Sequence, residues 1–126
     1  MTEGVEILDY DPPRRWAAGA RVAGDILLLA GETGIDPVTM AVVEGGVEAQ
    51  AEQALANIRT TLERFGADLS HVVKLTVFLT DIADLAAVSG VRARHLPRTV
   101  PSSTVAVKAL AHPELRVEIE AVAVAP

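Results

Sequence analysis

Few side chains in this 126-residue chain have the type and spacing that chemistry needs. Cysteine is absent, which removes thiolate nucleophiles, disulfides and cysteine-based metal sites. His71, His95 and His112 are scattered over a turn, a helix end and a proline-adjacent loop, and each reads as a surface residue. No spacing of His, Asp and Glu matches a metal-ligand set, so neither a metal nor another cofactor is expected. The arginines gather in two groups, Arg14 with Arg15, and Arg92, Arg94 and Arg98. Both read as solvated loop or helix surface with room for a local anion site. That leaves the carboxylates Glu118 and Glu120, two residues apart near the C-terminal end. By pattern alone Glu118 is a surface or interface carboxylate in a strand.

The elements that would position these groups follow from periodicity. Val5 to Leu8 reads as a short strand, and Arg21 to Ala23, Gly24-Asp25 and Ile26 to Ala30 as a hairpin with a two-residue turn. The unbroken Leu27-Leu28-Leu29 run suggests a strand covered on both faces. Val42 and Val43 form a short extended piece. Val47, Ala51, Ala54, Leu55, Ile58, Leu62 and Phe65 make one stripe at helical spacing, and Gly66 sits where a left-handed helix-ending residue belongs. Val72 to Leu79 is a β-branched strand, with Val73, Leu75, Val77 and Leu79 on one face. Asp81 is placed to cap a second helix reaching Leu96, with Leu85, Val88 and Leu96 inward. Ser103 to Val107 and Leu115 to Val124 complete the strands. In the last, Leu115, Val117, Ile119, Ala121 and Ala123 form one face, while Arg116, Glu118, Glu120, Val122 and Val124 form a mixed one. Periodicity leaves two explanations open for the mixed face: contact with other subunits around a polar pocket, or ordinary solvent exposure.

Composition bounds the rest. The length suits a single domain over 1–126. Half the residues are hydrophobic but only 3% are aromatic, so the core is aliphatic and few rings are available to stack on bases. A net charge of −6 argues against a nucleic-acid groove. The acidic, proline-broken start lacks the features of a signal peptide, and no apolar run approaches the roughly 20 residues that span a bilayer. The expectation is a cytoplasmic protein with no membrane partner.

Several segments resemble the RidA (YjgF) family. They are Ala23-Gly24-Asp25-Ile26-Leu27 through Ala30-Gly31, Ile35-Asp36-Pro37, and Gln53-Ala54-Leu55-Ala56-Asn57-Ile58. Further along come Val72 through Asp81, Ser103-Thr104-Val105-Ala106-Val107, and Val117-Glu118-Ile119-Glu120-Ala121. The resemblance runs from Gly24 to Val124. It implies an α+β fold: a single mixed sheet with two helices on one face, similar to chorismate mutase, in a homotrimer with a small-molecule cleft at each subunit boundary. It also implies hydrolysis of enamines and imines to 2-oxo acids and ammonia. That chemistry needs a cation for the substrate carboxylate and a carboxylate to place a water.

Carried over residue by residue, the water-placing Glu falls on Glu118. The family's Arg falls on Ser102, in Val100-Pro101-Ser102-Ser103-Thr104, so the guanidinium is missing from its place. An aromatic residue from the N-terminal loop falls on or near Trp16 and Ala17, a Gln after the strand glycine becomes Glu32, and an Asn of the second helix becomes Ser89. The expected ligand-binding set is Trp16, Gly31, Glu32, Ser89, Ser102, Ser103 and Thr104 around Glu118. A serine hydroxyl cannot replace a two-pronged guanidinium, and losing such a pair costs about 2–5 kcal/mol. Arg94 or Arg98 would have to reach in from nearby, and Glu32 would repel an acidic substrate. Three functions follow: an enamine/imine hydrolase with altered substrate preference, a non-catalytic small-molecule-binding trimer, and, most weakly, the endoribonuclease or translation-inhibitor role historically attached to the family.

Overall fold

The computed structural model describes residues 5–14, 17–22 and 25–126. Among the described residues seven strands form one sheet: β1 (Val5–Leu8), β2 (Gly19–Val22), β3 (Ile26–Leu29), β4 (Glu32–Thr33), β5 (Val72–Leu79), β6 (Ser102–Ala106) and β7 (Val117–Val124). Their order is β1-β2-β3-β7-β5-β6, with β4 also paired to β7. Every pairing is antiparallel except β5 with β6. Two helices, α1 (Gly46–Arg64) and α2 (Leu85–His95), cover one face. This is the α+β arrangement expected, and the β2–β3 hairpin forms, although Ala23 and Gly24 of its turn lie outside the described residues.

The α1 stripe packs as its periodicity requires. Val47, Ala51, Ala54, Leu55, Ile58, Leu62 and Phe65 are all buried, against Leu27, Leu29, Leu75, Val77, Leu79, Val117, Ile119 and Ala121 of the sheet. Gly66 closes the helix at φ 77°, a backbone that favours glycine. Two amides on α1 do more than fill space. Gln50 donates to the Glu114 carbonyl (3.0 Å) and accepts from the Arg116 N–H (2.8 Å), which fixes the entry to β7. Asn57 donates to the Thr33 and Ile35 carbonyls (3.2 and 2.9 Å) and accepts from Gln53 (2.8 Å), which holds β4 against the helix.

Four expectations change. In β5 the pairing to β7 is irregular between Val72 and Lys74, so Val72, not Val73, is in the core. A bulge adds one residue and reverses the alternation behind it. Asp81 caps a 3-10 turn (Ile82–Asp84) before α2, and this offset turns Leu85 outward and brings Val91 in beside Val88. Glu32–Thr33, beyond the Ile26 to Ala30 strand read from the sequence, is a strand of its own. Leu28 is 45% exposed in the single chain, so β3 is covered on one face only.

Candidate functional site

The carboxylate singled out by sequence sits at an interruption in the sheet. β3 pairs with the far end of β7 (Leu28 with Val122) and β4 with its beginning (Glu32 with Ile119). The connecting chain therefore advances four residues where β7 advances three. The extra residue is accommodated around Ala30-Gly31, an irregularity of the kind that re-aims side chains at sites. The Glu118 carboxyl fills the space so created. A Cβ at Gly31 would lie 2.3 Å from Glu118 Oε2, closer than any real contact, so only glycine lets this carboxyl lie here.

A cavity of about 510 Å³ opens at this junction. Its walls include Gly31, Glu32 and Glu118 from the sheet, Asn57 from α1, Arg14 and Met40 from the flanking loops, and His112 from the segment before β7. Burial, and then the charge of neighbouring Glu120, raise the pKa of Glu118 above the ordinary carboxylate range. Glu32 is only 6% exposed and accepts a hydrogen bond from the Tyr10 hydroxyl. Its pKa is also raised, first by burial; the Tyr10 hydrogen bond and Arg14 oppose the shift, and Glu118 adds to it. Glu32 is therefore no bare negative charge at the mouth, as the sequence suggested, but an engaged and buried group biased towards its neutral form. His112 Nδ1 accepts from the Glu114 N–H (3.1 Å), so the neutral ring carries its proton on Nε2.

The other expected residues are not all here. Trp16 lies outside the described residues. Ser102 pairs with Leu75 and Ser103 with Thr76, while Glu118 pairs with Phe78 and Glu120 with Thr76. Paired residues share a face, and faces alternate along a strand. Ser103 thus lies on the Glu118 face of its own chain, and Ser102 and Thr104 on the helix face. Ser102 instead accepts a hydrogen bond from Arg92 of α2 (2.9 Å). Ser89, Arg92 and Arg98 line a separate cavity of about 380 Å³. Arg94 is paired with Glu52 (2.9 Å), and neither it nor Arg98 lines the Glu118 cavity of its own chain. Tyr10, Arg14, Met40 and His112 had no motif to announce them; loops that fold back onto the sheet bring them in.

The raised pKa of Glu32 has a consequence for stability. In the folded chain this carboxyl keeps its proton to higher pH than in the unfolded chain, whose value is near 4.5. Its contribution is complete below that value and is lost as pH rises through the folded one. Glu32→Gln is neutral throughout and can still accept from Tyr10. It should melt a few degrees above the parent near pH 8 and about level with it near pH 4, measured by thermal denaturation.

The family model described as Endoribonuclease L-PSP matches residues 9–125. Protein DfrA of Myxococcus xanthus is 44% identical over 103 residues, spanning 81% of this chain and 78% of that one. The 2-iminobutanoate/2-iminopropanoate deaminase of Capra hircus is 40% identical over 98 residues, spanning 78% and 72%. The crystal structure of RidA from the Antarctic bacterium Psychrobacter sp. superposes with a TM-score of 0.82 at 32% identity, covering 98% of this chain and 99% of that one. With the fold, the glycine-seated glutamate and these likenesses in agreement, the chain belongs to the RidA (YjgF) family.

Proposed function

We propose that the protein is an enamine/imine deaminase with an altered substrate preference, in which Glu118 places and activates the attacking water. The observation that carries this reading is the Glu118 carboxyl itself, half-buried over Gly31 in a cavity large enough for a small metabolite. A carboxyl with a raised pKa can take a proton from water near neutral pH. The water oxygen then bonds to the imine carbon, the nitrogen is protonated, and the C–N bond breaks to leave a carbonyl compound and ammonia. Deaminase relatives support this chemistry.

The altered preference rests on β6. Ser102 stands where the resemblance puts the family's guanidinium, and its hydroxyl accepts from Arg92 beside the Ser89–Arg98 cavity. A serine there cannot grip a ligand carboxylate as a guanidinium does. A non-catalytic small-molecule-binding trimer remains the second reading, favoured by this same lack of a guanidinium on β6. The endoribonuclease reading has less support: His71 is paired with Asp68 and His95 with Glu52, leaving His112 alone at the cavity.

We also propose that the chain forms a homotrimer through the helix-free face of the sheet, where Ile26, Leu28 and Val124 are each more than 40% exposed. Two further copies would cover this aliphatic surface and bring the Ser89–Arg98 cavity of one subunit towards the Glu118 cavity of the next. No helix among the described residues is long and apolar enough to cross a membrane, and a cytoplasmic setting suits a cysteine-free scavenger of short-lived metabolites.

Four measurements test these proposals. Native mass at micromolar concentration should give three chains; a clean monomer defeats the assembly. In a threonine-dehydratase-coupled assay, Glu118→Gln should lose at least about a hundredfold in rate, while Glu120→Gln, on the same face but away from Gly31, keeps most of it. The acid limb of the parent's pH profile should lie above the ordinary glutamate range, because the base form of Glu118 appears only as pH rises through its raised pKa. Finally, Ser102→Arg, at the position where the resemblance puts the missing guanidinium, should accelerate 2-iminobutanoate hydrolysis if the trimer brings that side of one subunit to the Glu118 cavity of the next.

A further inference from the structure

We infer that Arg14 is the cation that holds an anionic substrate in the Glu118 cavity, from the wall opposite the edge strand. The inference rests on the deaminase reading of that cavity and names the residue that would decide its specificity.

Arg14 lines the cavity together with Gly31 and Glu118. Its guanidinium lies over the Tyr10 ring, 4.0 Å from the centroid, and one nitrogen, Nη2, approaches Met40 Sδ at 3.7 Å. The ring face holds a cation without consuming its N–H donors, and a thioether is a weak acceptor. Among the described residues Arg14 has no carboxylate in a salt bridge. Arg21, Arg59, Arg94 and Arg116 each have one, in Glu6, Glu63, Glu52 and Asp84. The acid beside Arg14 is Glu32, whose carboxyl is engaged by the Tyr10 hydroxyl. A planar fork of donors is thus positioned by soft contacts at the edge of a cavity, with its directional hydrogen bonds left for a ligand. A carboxylate is the group that such a fork fits with two parallel bonds.

The position of this cation also sets what the substrate looks like. An anion on Arg14 lies on the Tyr10–Met40 side of Glu118, not on the β6 side. The rest of the molecule then runs along Ile35, Met40 and Leu115, an aliphatic surface without a buried charge of its own. The fitting ligand is a small aliphatic 2-imino or 2-oxo monocarboxylate, turned end for end relative to one anchored from the edge strand.

The test uses 2-oxobutanoate, the stable hydrolysis product of such an imine, and 2-butanone, which has the same chain without the carboxylate. Binding is followed by NMR shifts of the Gly31 and Glu118 amides in the intact protein. The parent should bind the acid more tightly than the ketone. Arg14→Gln should weaken 2-oxobutanoate about tenfold or more and leave 2-butanone unchanged, and Arg14→Lys should recover part of the loss. In the coupled assay the same substitution should raise KM with a smaller effect on kcat. An equal affinity of the parent for acid and ketone, or a change below about twofold in Arg14→Gln, overturns the inference. The two proposals fail separately. Carboxylate-selective binding through Arg14 with no imine turnover defeats the deaminase and keeps the anchor. Turnover with an unchanged KM in Arg14→Gln defeats the anchor and keeps the deaminase.

Discussion

The contact between Glu118 and the missing side chain of Gly31 organises this site. A carboxyl on a central strand of a sheet would ordinarily stand free above its neighbours. Here the one-residue mismatch between β3, β4 and β7 leaves a gap beside β7, and glycine keeps the gap open. α1 supports the arrangement from behind. Asn57 takes hold of the Thr33 and Ile35 carbonyls and Gln50 of the chain entering β7, so both sides of the gap are referred to one rigid helix. The precision of the carboxyl thus comes from backbone bonds made by residues that do no chemistry.

Burial and charge are in competition across the cavity. Two carboxyls share it, and desolvation pushes both towards their neutral forms. Tyr10 and Arg14 act against this at Glu32, which keeps the two acids from being equivalent. Glu118 has no such compensation beyond its own partial exposure. One acid is consequently tied into the wall and the other is left to exchange protons with what enters. That division is the kind that separates a structural carboxyl from a working one.

Much of the frame was legible in the chain. The α1 stripe, the Gly66 stop, the β2–β3 hairpin, the alternation of β7 and the prominence of Glu118 all rest on local periods of 3.6 or 2 residues, and local sterics enforce these wherever the chain goes. The misreadings share one cause. One residue of irregularity shifts what lies next to it: the bulge at Val73 put Val72 in the core in its place, and the 3-10 turn after Asp81 rotated Leu85 out of the core.

The sequence by itself determined which strands and helices exist, that their core is aliphatic, and that one strand carries a glutamate in a setting resembling a deaminase family. Only the tertiary structure decided what surrounds that glutamate. Arg14 and Tyr10 come from an irregular segment near the other end of the chain and His112 from the loop just before β7, and no period or motif places them. Long-range pairing does so by folding those segments onto one sheet junction, where burial sets the protonation of Glu32 and Glu118 and the ring of Tyr10 positions a cation. Reach and desolvation are properties of that packed environment, so a linear chain cannot express them.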